Sequence, residues 1–275
     1  VTAPFLVTGG TGSLGRRLVP QLTATGHEVR VLSRREHPDE HGARYLVGDL
    51  AKNRDIGPAL YGVRTVIHCA SANKGDAEAT GNLVRAATST ALATGAAPPH
   101  LVFISIVGVD TLSLGYFKAK LDAERVVTDS GLPWTILRVT QFYDLVLTGA
   151  RQLARFPVVP VPAGFRTQPI DAAEVATRLV QLALAEPAGR VPDMGGPEIT
   201  DAVDLIRRYL RATGRRRPVL PLPLPARRVK AGALLPASGD GGPAGLGTWE
   251  DFIAEHGRTT KGRKAGRARR RKVSG

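Results

Sequence analysis

The sequence predicts an α/β protein built on a doubly wound parallel sheet, with a smaller and less regular region towards its C-terminus. Three features carry this prediction. Short apolar runs alternate with segments of helical period from the start of the chain, the pattern of strands linked by crossover helices. A glycine-rich turn, Thr8-Gly9-Gly10-Thr11-Gly12-Ser13-Leu14-Gly15, joins the first strand to the first helix. The second strand then runs straight into Ser33-Arg34-Arg35.

The elements follow in order. Phe5-Leu6-Val7 reads as a short buried strand, and Leu14, Leu18 and Leu22 repeat at helical spacing after it. Pro20 falls inside this helix, where the missing donor is expected to kink the chain. Glu28 to Leu32 is the second strand and Arg44 to Val47 the third, ending at Gly48-Asp49-Leu50. Ile56 and Leu60 mark a short helix, and Thr65 to Ala70 a fourth strand. A helix is expected from about Ala77 to Thr94, closed by Gly95 and the Pro98-Pro99 pair. His100 to Ile104 forms a fifth strand ending at Ser105, and Trp134 to Arg138 a sixth. Further on, helices are expected over 172–185 and 204–213, and loops with one short helix over 215–247. The organisation expected is a dinucleotide-binding domain over 1–145 and a substrate-side region over 146–256, intertwined with the first. A basic disordered tail over 257–275 has almost no apolar side chains with which to order itself.

A strand feeding a Gly-x-x-Gly-x-x-Gly turn brings backbone N–H groups and a helix N-terminus together, which cradles a pyrophosphate. Gly9, Thr11, Gly12, Ser13, Leu14 and Gly15 are therefore candidate cofactor contacts, and the sheet is of the Rossmann type. The end of the second strand selects the dinucleotide. An NAD site offers a carboxylate to the ribose 2′-hydroxyl, whereas an NADP site offers cations to the 2′-phosphate. Arg34, nineteen residues past Gly15, lies in the expected place beside Ser33 and Arg35. A guanidinium fork suits a phosphate, so NADP (NADPH) is the expected cofactor.

Composition restricts the rest. The net charge of +14 is unevenly distributed: residues 1–206 are neutral, 207–256 carry +5, and 257–275 carry +9. The basic excess thus lies outside the nucleotide-binding part. Nucleic-acid contact is expected, if anywhere, only through the tail Arg258 to Lys272, which has no aromatics to stack bases. Arg207, Arg208, Arg211 and Arg215 to Arg217 read as a solvated basic face. No run of about 18 apolar residues predicts a membrane span, and, with strand and glycine turn at the start, no signal peptide is expected. The single cysteine, Cys69, reads as a small core residue in a reducing, cytoplasmic setting. His68 and His100 sit at strand ends as structural residues, and no residue set has metal-ligand spacing.

The catalytic candidates follow the fifth strand. Tyr116 and Lys120 are four apart in a helical segment, so they share a face. A phenol with a pKa of about 10 is a poor acid–base catalyst at neutral pH, and a neighbouring ammonium favours its ionised form. Ser105, at the end of the preceding strand, could hold a substrate carbonyl.

Over roughly residues 3–200 the chain resembles a short-chain dehydrogenase/reductase of the atypical, NmrA-like group. The resemblance rests on the Thr8–Gly15 turn, Asp49-Leu50, Cys69-Ala70-Ser71, Thr80 to Leu83 and Arg138 to Tyr143, with Ser105, Tyr116 and Lys120 matching the Ser–Tyr–Lys triad. It implies that Asp49 and Leu50 meet the adenine, and that Ala70, Ser71 and Ala72 border the cofactor ribose. It further implies that Lys120 holds the nicotinamide ribose, and that Val139, Gln141 and Phe142 touch nicotinamide and substrate. The activity implied is hydride transfer to a small-molecule carbonyl or quinone, Tyr116 giving the proton. A homodimer is the implied assembly, through the helices after strands four and five. Two departures stand out. The Ser105–Tyr116 spacing is shorter than in many short-chain enzymes, which leaves Thr111 and Ser113 as alternative hydroxyls. The turn after strand four reads Cys-Ala-Ser instead of Asn-Ala-Gly. A second reading, a non-catalytic NAD(P)-sensing regulator of the NmrA kind, stands beside the enzyme.

Overall fold

The computed structural model describes residues 3–71, 75–112, 115–164, 166–223, 232–236 and 244–257. Its centre is a seven-stranded parallel sheet. The strands are β1 (Phe5–Thr8), β2 (Val29–Ser33), β3 (Ala43–Val47), β4 (Thr65–His68), β5 (His100–Ile106), β6 (Trp134–Val139) and β9 (Gly189–Arg190), in the order β3-β2-β1-β4-β5-β6-β9. Strand order reverses between β1 and β4, which pair in register from Phe5↔Thr65 to Thr8↔His68. In such a sheet the crevice beyond the carboxyl ends of the strands, at the reversal, is where a ligand binds.

Alternation along each strand divides the core into two layers. In β5, Val102 and Ile104 join one cluster while Leu101 and Phe103 join the other. The first layer is covered by α1 (Gly15–Thr23) and α6 (Ala172–Leu184), the second by α2 (Gly57–Leu60), α3 (Asp76–Thr94) and α4 (Gly115–Thr128). Every buried strand is thus apolar on both faces, which is why these strands read as continuous apolar runs. Helix α3 ends as expected at Gly95, whose φ of 64° closes the helix by returning the Ala96 N–H to the Ala91 carbonyl. Helix α1 continues past Pro20 to Thr23 without interruption. The missing Pro20 donor leaves the Arg16 carbonyl without its helical bond, and both residues are at least partly exposed, so water can serve it.

A third cluster lies in the C-terminal part. Here α5 (Tyr143–Leu153), α7 (Ala202–Ala212) and α8 (Trp249–His256) pack with β7 (Val159–Ala163) and β11 (Val219–Pro223) around Tyr143, Leu147, Tyr209 and Trp249. β8 (Arg166–Thr167) and β10 (Thr200–Asp201) add a short antiparallel pair. The stretch 215–247, expected as loops with a short helix, instead contributes strand β11, and its described residues contain no helix. Pro218, Pro221 and Pro223 favour extended backbone, and their missing donors are tolerated because β11 pairs on one side only, with β7. The basic tail expected over 257–275 falls, after Gly257, outside the described residues.

Candidate active site

The glycine-rich turn sits at the strand reversal. Gly9 has a φ of 73°, and a Cβ there would stand 2.6 Å from the Ala70 nitrogen and 2.8 Å from the Cys69 carbonyl carbon. Only glycine lets β1 turn this closely against the end of β4. A Cβ on Gly15 would likewise drive into the Gly9 carbonyl and the Gly10 backbone. The turn is closed by Gly12 N–H donating to the Gly9 carbonyl at 3.0 Å. Thr8 ties the two strands together, its hydroxyl accepting from Ala70 N–H at 3.3 Å and bonding His68 Nδ1 at 2.6 Å.

Two adjoining cavities open from this turn and share Gly9, Gly12, Cys69 and Ser71. The larger, about 620 Å³, includes Thr11, Ser33, Arg34, Arg35, Asp49, Leu50 and Ala70 in its walls. The smaller, about 190 Å³, is walled by Ser13, Leu14, Gly15, Ser105, Tyr116, Lys120, Val139 and Phe142 among others. Nearly all the residues singled out from the sequence therefore meet in one continuous cleft. Ala72 and Ser113 lie outside the described residues. Gln141 is not in the cleft: its side-chain oxygen accepts from Thr167 Oγ1 at 2.5 Å, and its carbonyl accepts from Ile170 N–H. The Thr111 hydroxyl donates to the Gly108 carbonyl and borders neither cavity.

At the cationic end, Arg34 and Arg35 form no ion pair among the described residues, and Arg16 and His37 join them in the wall. Arg16 and His37 were not anticipated. Arg16 follows the last glycine of the turn directly, and that adjacency was the available signal. Asp49 is spent locally, its Oδ1 accepting from Ala51 N–H (3.0 Å) and Lys52 N–H (3.3 Å). The Leu50 carbonyl is held by Asn82 Nδ2 at 2.7 Å, so α3 fixes this wall.

At the other end, Ser105 is fully buried, and its hydroxyl has no hydrogen-bond partner among the described residues. Strand alternation puts it on the face of β5 that carries Leu101 and Phe103, the face α4 covers. Tyr116, in the first turn of α4, is 38% exposed, whereas Lys120 one turn later is buried. Lys120 Nζ pairs with Asp76 Oδ2 at 3.2 Å, both side chains being 3% exposed, and lies 3.4 Å from Ser71 Oγ and 4.6 Å from the Phe103 ring centroid. Asp76 was missed because it opens a helix, where an acidic residue has an ordinary explanation.

His68 is buried between Thr8 and Thr80, and burial, helped by the Lys120 charge, lowers its pKa to about 3. It is a neutral structural residue, as expected. The Cys69 thiol is pushed up to about 12 by burial, which Lys120 only partly opposes, so it is no nucleophile. Behind the cleft, Arg138 of β6 forks onto Glu124 at 2.9 and 2.7 Å and reaches Asp110 at 2.8 Å. Burial opposes the charge on Asp110, but the hydrogen bond and charge of Arg138 prevail and hold its carboxyl below the usual range. Four arginines of the basic face have partners in the fold, while Arg207, Arg211 and Arg216 remain exposed as expected. Arg208 grips Glu198, Arg207 pairs with Asp204, and Arg215 and Arg217 donate to the carbonyls of Ala154 and Phe156.

The cradle fits a dinucleotide: a turn into which no Cβ could enter at Gly9 or Gly15, and, among the described residues, unpaired guanidinium groups at one end and a hydroxyl without a partner at the other. The NAD(P)H-binding family model matches residues 9–186, and the chain belongs to that family. It is 26% identical over 236 residues to the photosystem II assembly factor Ycf39 of Trieres chinensis, covering 80% of this chain and 72% of that protein. A 65-residue stretch, 24% of this chain, is 46% identical to the decarboxylating sterol-4-alpha-carboxylate 3-dehydrogenase of Homo sapiens, but spans only 17% of that enzyme. Among solved structures, an NADPH-dependent quinone oxidoreductase of Escherichia coli superposes with a TM-score of 0.72 at 19% identity, covering 92% of this chain and all of that one. That likeness establishes the shared fold. Among the described residues no helix is long and apolar enough to cross a membrane, and no His, Cys, Asp and Glu group could hold a metal ion.

Proposed function

We propose that this protein is an NADP-dependent oxidoreductase that reduces a small carbonyl or quinone, residues 1–145 holding the dinucleotide and 146–256 shaping the substrate side. The observation that carries the reading is the meeting of Ser105, Tyr116 and Lys120 with the glycine turn on one small cavity, continuous with a larger cleft that ends in unpaired arginines. Arg34 and Arg35, with Arg16 beside them, would bind the 2′-phosphate. Gly9 to Gly15 would present backbone N–H groups to the pyrophosphate, with Asp49 and Leu50 beside the adenine and Ala70 and Ser71 beside a ribose. When bound, the cofactor supplies the hydride. Ser105 then orients the substrate oxygen with its otherwise unpartnered hydroxyl, and Tyr116 gives that oxygen its proton. Lys120 holds ribose hydroxyls, and solvent, which reaches Tyr116, restores the proton that Tyr116 gives up. Val139 and Phe142 shield the reacting centre. A reducing, cytoplasmic setting fits the single cysteine.

The experiment is a fluorescence titration with NADPH and NADH, repeated on Arg34→Ala, followed by turnover assays with quinones and carbonyls. The expected result is tighter NADPH binding, lost in the variant. Equal affinity for the two nucleotides would overturn the NADP assignment. A sensor role is favoured by one observation, the 26% identity to a protein named as an assembly factor. Tight NADPH binding without turnover of any carbonyl or quinone would select it.

A further inference from the structure

We infer that Asp76 is a positioning residue for this site, the counter-ion that holds the Lys120 ammonium and aims it into the cleft; the inference rests on the cofactor reading above. Lys120 and Asp76 come from different helices, α4 and α3, and meet at 3.2 Å with both side chains almost completely withdrawn from water. Ser71 Oγ lies between them, 3.3 Å from Asp76 Oδ2 and 3.4 Å from Lys120 Nζ. Gly75, with a φ of 78°, turns the chain so that Asp76 becomes the first residue of α3, where the helix N-terminus favours a carboxylate.

An ammonium this deeply buried is unfavourable without a partner, and among the described residues no other carboxylate is paired with it. Glu124, one turn further along α4, is committed to Arg138. Among the described residues, the remaining titratable groups facing Lys120 are His68 and Cys69 beside β4, and Tyr116 on its own helix. His68 is neutral and Cys69 is protonated, so Asp76 is the single anionic group described at this end of the cleft. Asp76 itself borders the larger cavity while Lys120 borders the smaller one, and Ser71 borders both. The pair therefore sits where adenosine-side and nicotinamide-side walls join. One carboxylate there fixes the direction of the ammonium, preorganising the donor offered to a ribose hydroxyl.

Wild type, Asp76→Asn, Asp76→Glu, Lys120→Gln and the Asp76→Asn/Lys120→Gln double variant are titrated with NADPH from neutral to alkaline pH. Each apo protein is also melted. Asp76→Asn and Lys120→Gln are each expected to weaken NADPH binding about tenfold, the worth of one charge-assisted contact. The double variant should bind no worse than Lys120→Gln, and Asp76→Glu should recover most of the affinity. In Asp76→Asn the loss should deepen as pH rises, because a buried ammonium without its counter-ion gives up its proton more readily. In the melts, the double variant should exceed Asp76→Asn, since an orphaned buried charge is worse than none; this arm decides the matter even where Asp76→Asn folds poorly. Additive losses in the double variant, undiminished binding by Asp76→Asn, or a double variant that melts no higher would each overturn the inference. Wild type that binds neither NADPH nor NADH would instead overturn the cofactor reading, and this inference with it.

Discussion

Replacing Gly9 and Gly12 separately by alanine distinguishes what the turn does for the fold from what it does for a ligand. At Gly9 the backbone is left-handed, and an L side chain costs about 1–2 kcal/mol there. The added Cβ would also stand 2.6 Å from the Ala70 nitrogen and 2.8 Å from the Cys69 carbonyl carbon, both backbone atoms that cannot rotate away. Relieving that overlap means prising β1 from β4, and overpacking of this kind costs about 1–3 kcal/mol more. Gly9→Ala is thus expected to lose about 2–5 kcal/mol, which for a domain of this size lowers the melting temperature by on the order of 10 °C. At Gly12 the φ lies outside the left-handed range, and among the described residues the one atom a Cβ would approach is the Gly9 carbonyl oxygen, at 3.2 Å. Gly12→Ala should therefore melt within about 1–2 °C of wild type, the usual cost of a tolerated surface change, while its methyl group takes the space a phosphate needs and weakens NADPH binding at least tenfold. Calorimetry and fluorescence titration on the same preparations read both quantities. A Gly12→Ala variant that binds NADPH normally would refute the placement of the phosphates, and a Gly9→Ala variant as stable as wild type would refute the packing argument.

Other expectations are as direct. Tyr116→Phe should retain NADPH binding within about twofold but lose turnover by about 10²-fold or more; turnover preserved in single-cycle kinetics would remove Tyr116 as the proton donor. Glu124→Gln should destabilise the protein by about 1–3 kcal/mol in urea, because the buried Arg138 loses its two-pronged partner and keeps only Asp110, and Glu124→Gln/Arg138→Met should lose less than the sum of the two single variants; additive losses would show the pair to be uncoupled. His68 has a folded-state pKa of about 3, below its unfolded value, so the unfolded chain binds the extra proton first as pH falls. Its contribution is fully present above about pH 6.5 and declines by up to about 1.4 kcal/mol per pH unit between there and pH 3. Urea midpoints measured down that range should fall less steeply in His68→Asn, and identical slopes would sink the assignment.

Much of the sheet was legible because a buried parallel strand is apolar on both faces and its crossover helix is not. Phe5 to Val7, Thr65 to Ile67 and Leu101 to Ile104 announce themselves in this way, and the glycine turn marks which strand leads into the ligand crevice. The C-terminal part was less readable for physical reasons. Helix α5 buries only Tyr143, Leu147 and Ala150, too few positions to display a period. Strand β11 alternates proline with leucine and so resembles a loop. Helix α8 did carry a signal, since Thr248 accepts from Asp251 N–H and caps it three residues ahead of an acid.

The site divides along the same line. Residues that must be glycine, or that end a strand, are recognisable one at a time, because the constraint acts on the backbone at that position. Gly9, Gly15, Ser33 and Ser105 are of this kind, and the structure brings all four to the cleft. Residues that act through a partner distant in sequence are not. The carboxylate of Asp76 acquires its meaning only when α4 lays Lys120 against it, 44 positions later. Gln141 shows the converse: it sits in a segment that reads as cofactor-facing, yet Thr167, 26 positions away, engages its side chain. Tertiary partners therefore decide which polar groups near the cleft remain available to a ligand. By that criterion the hydroxyl of Ser105 and the guanidinium groups of Arg34 and Arg35 are free among the described residues, whereas Asp49 and Gln141 are already occupied.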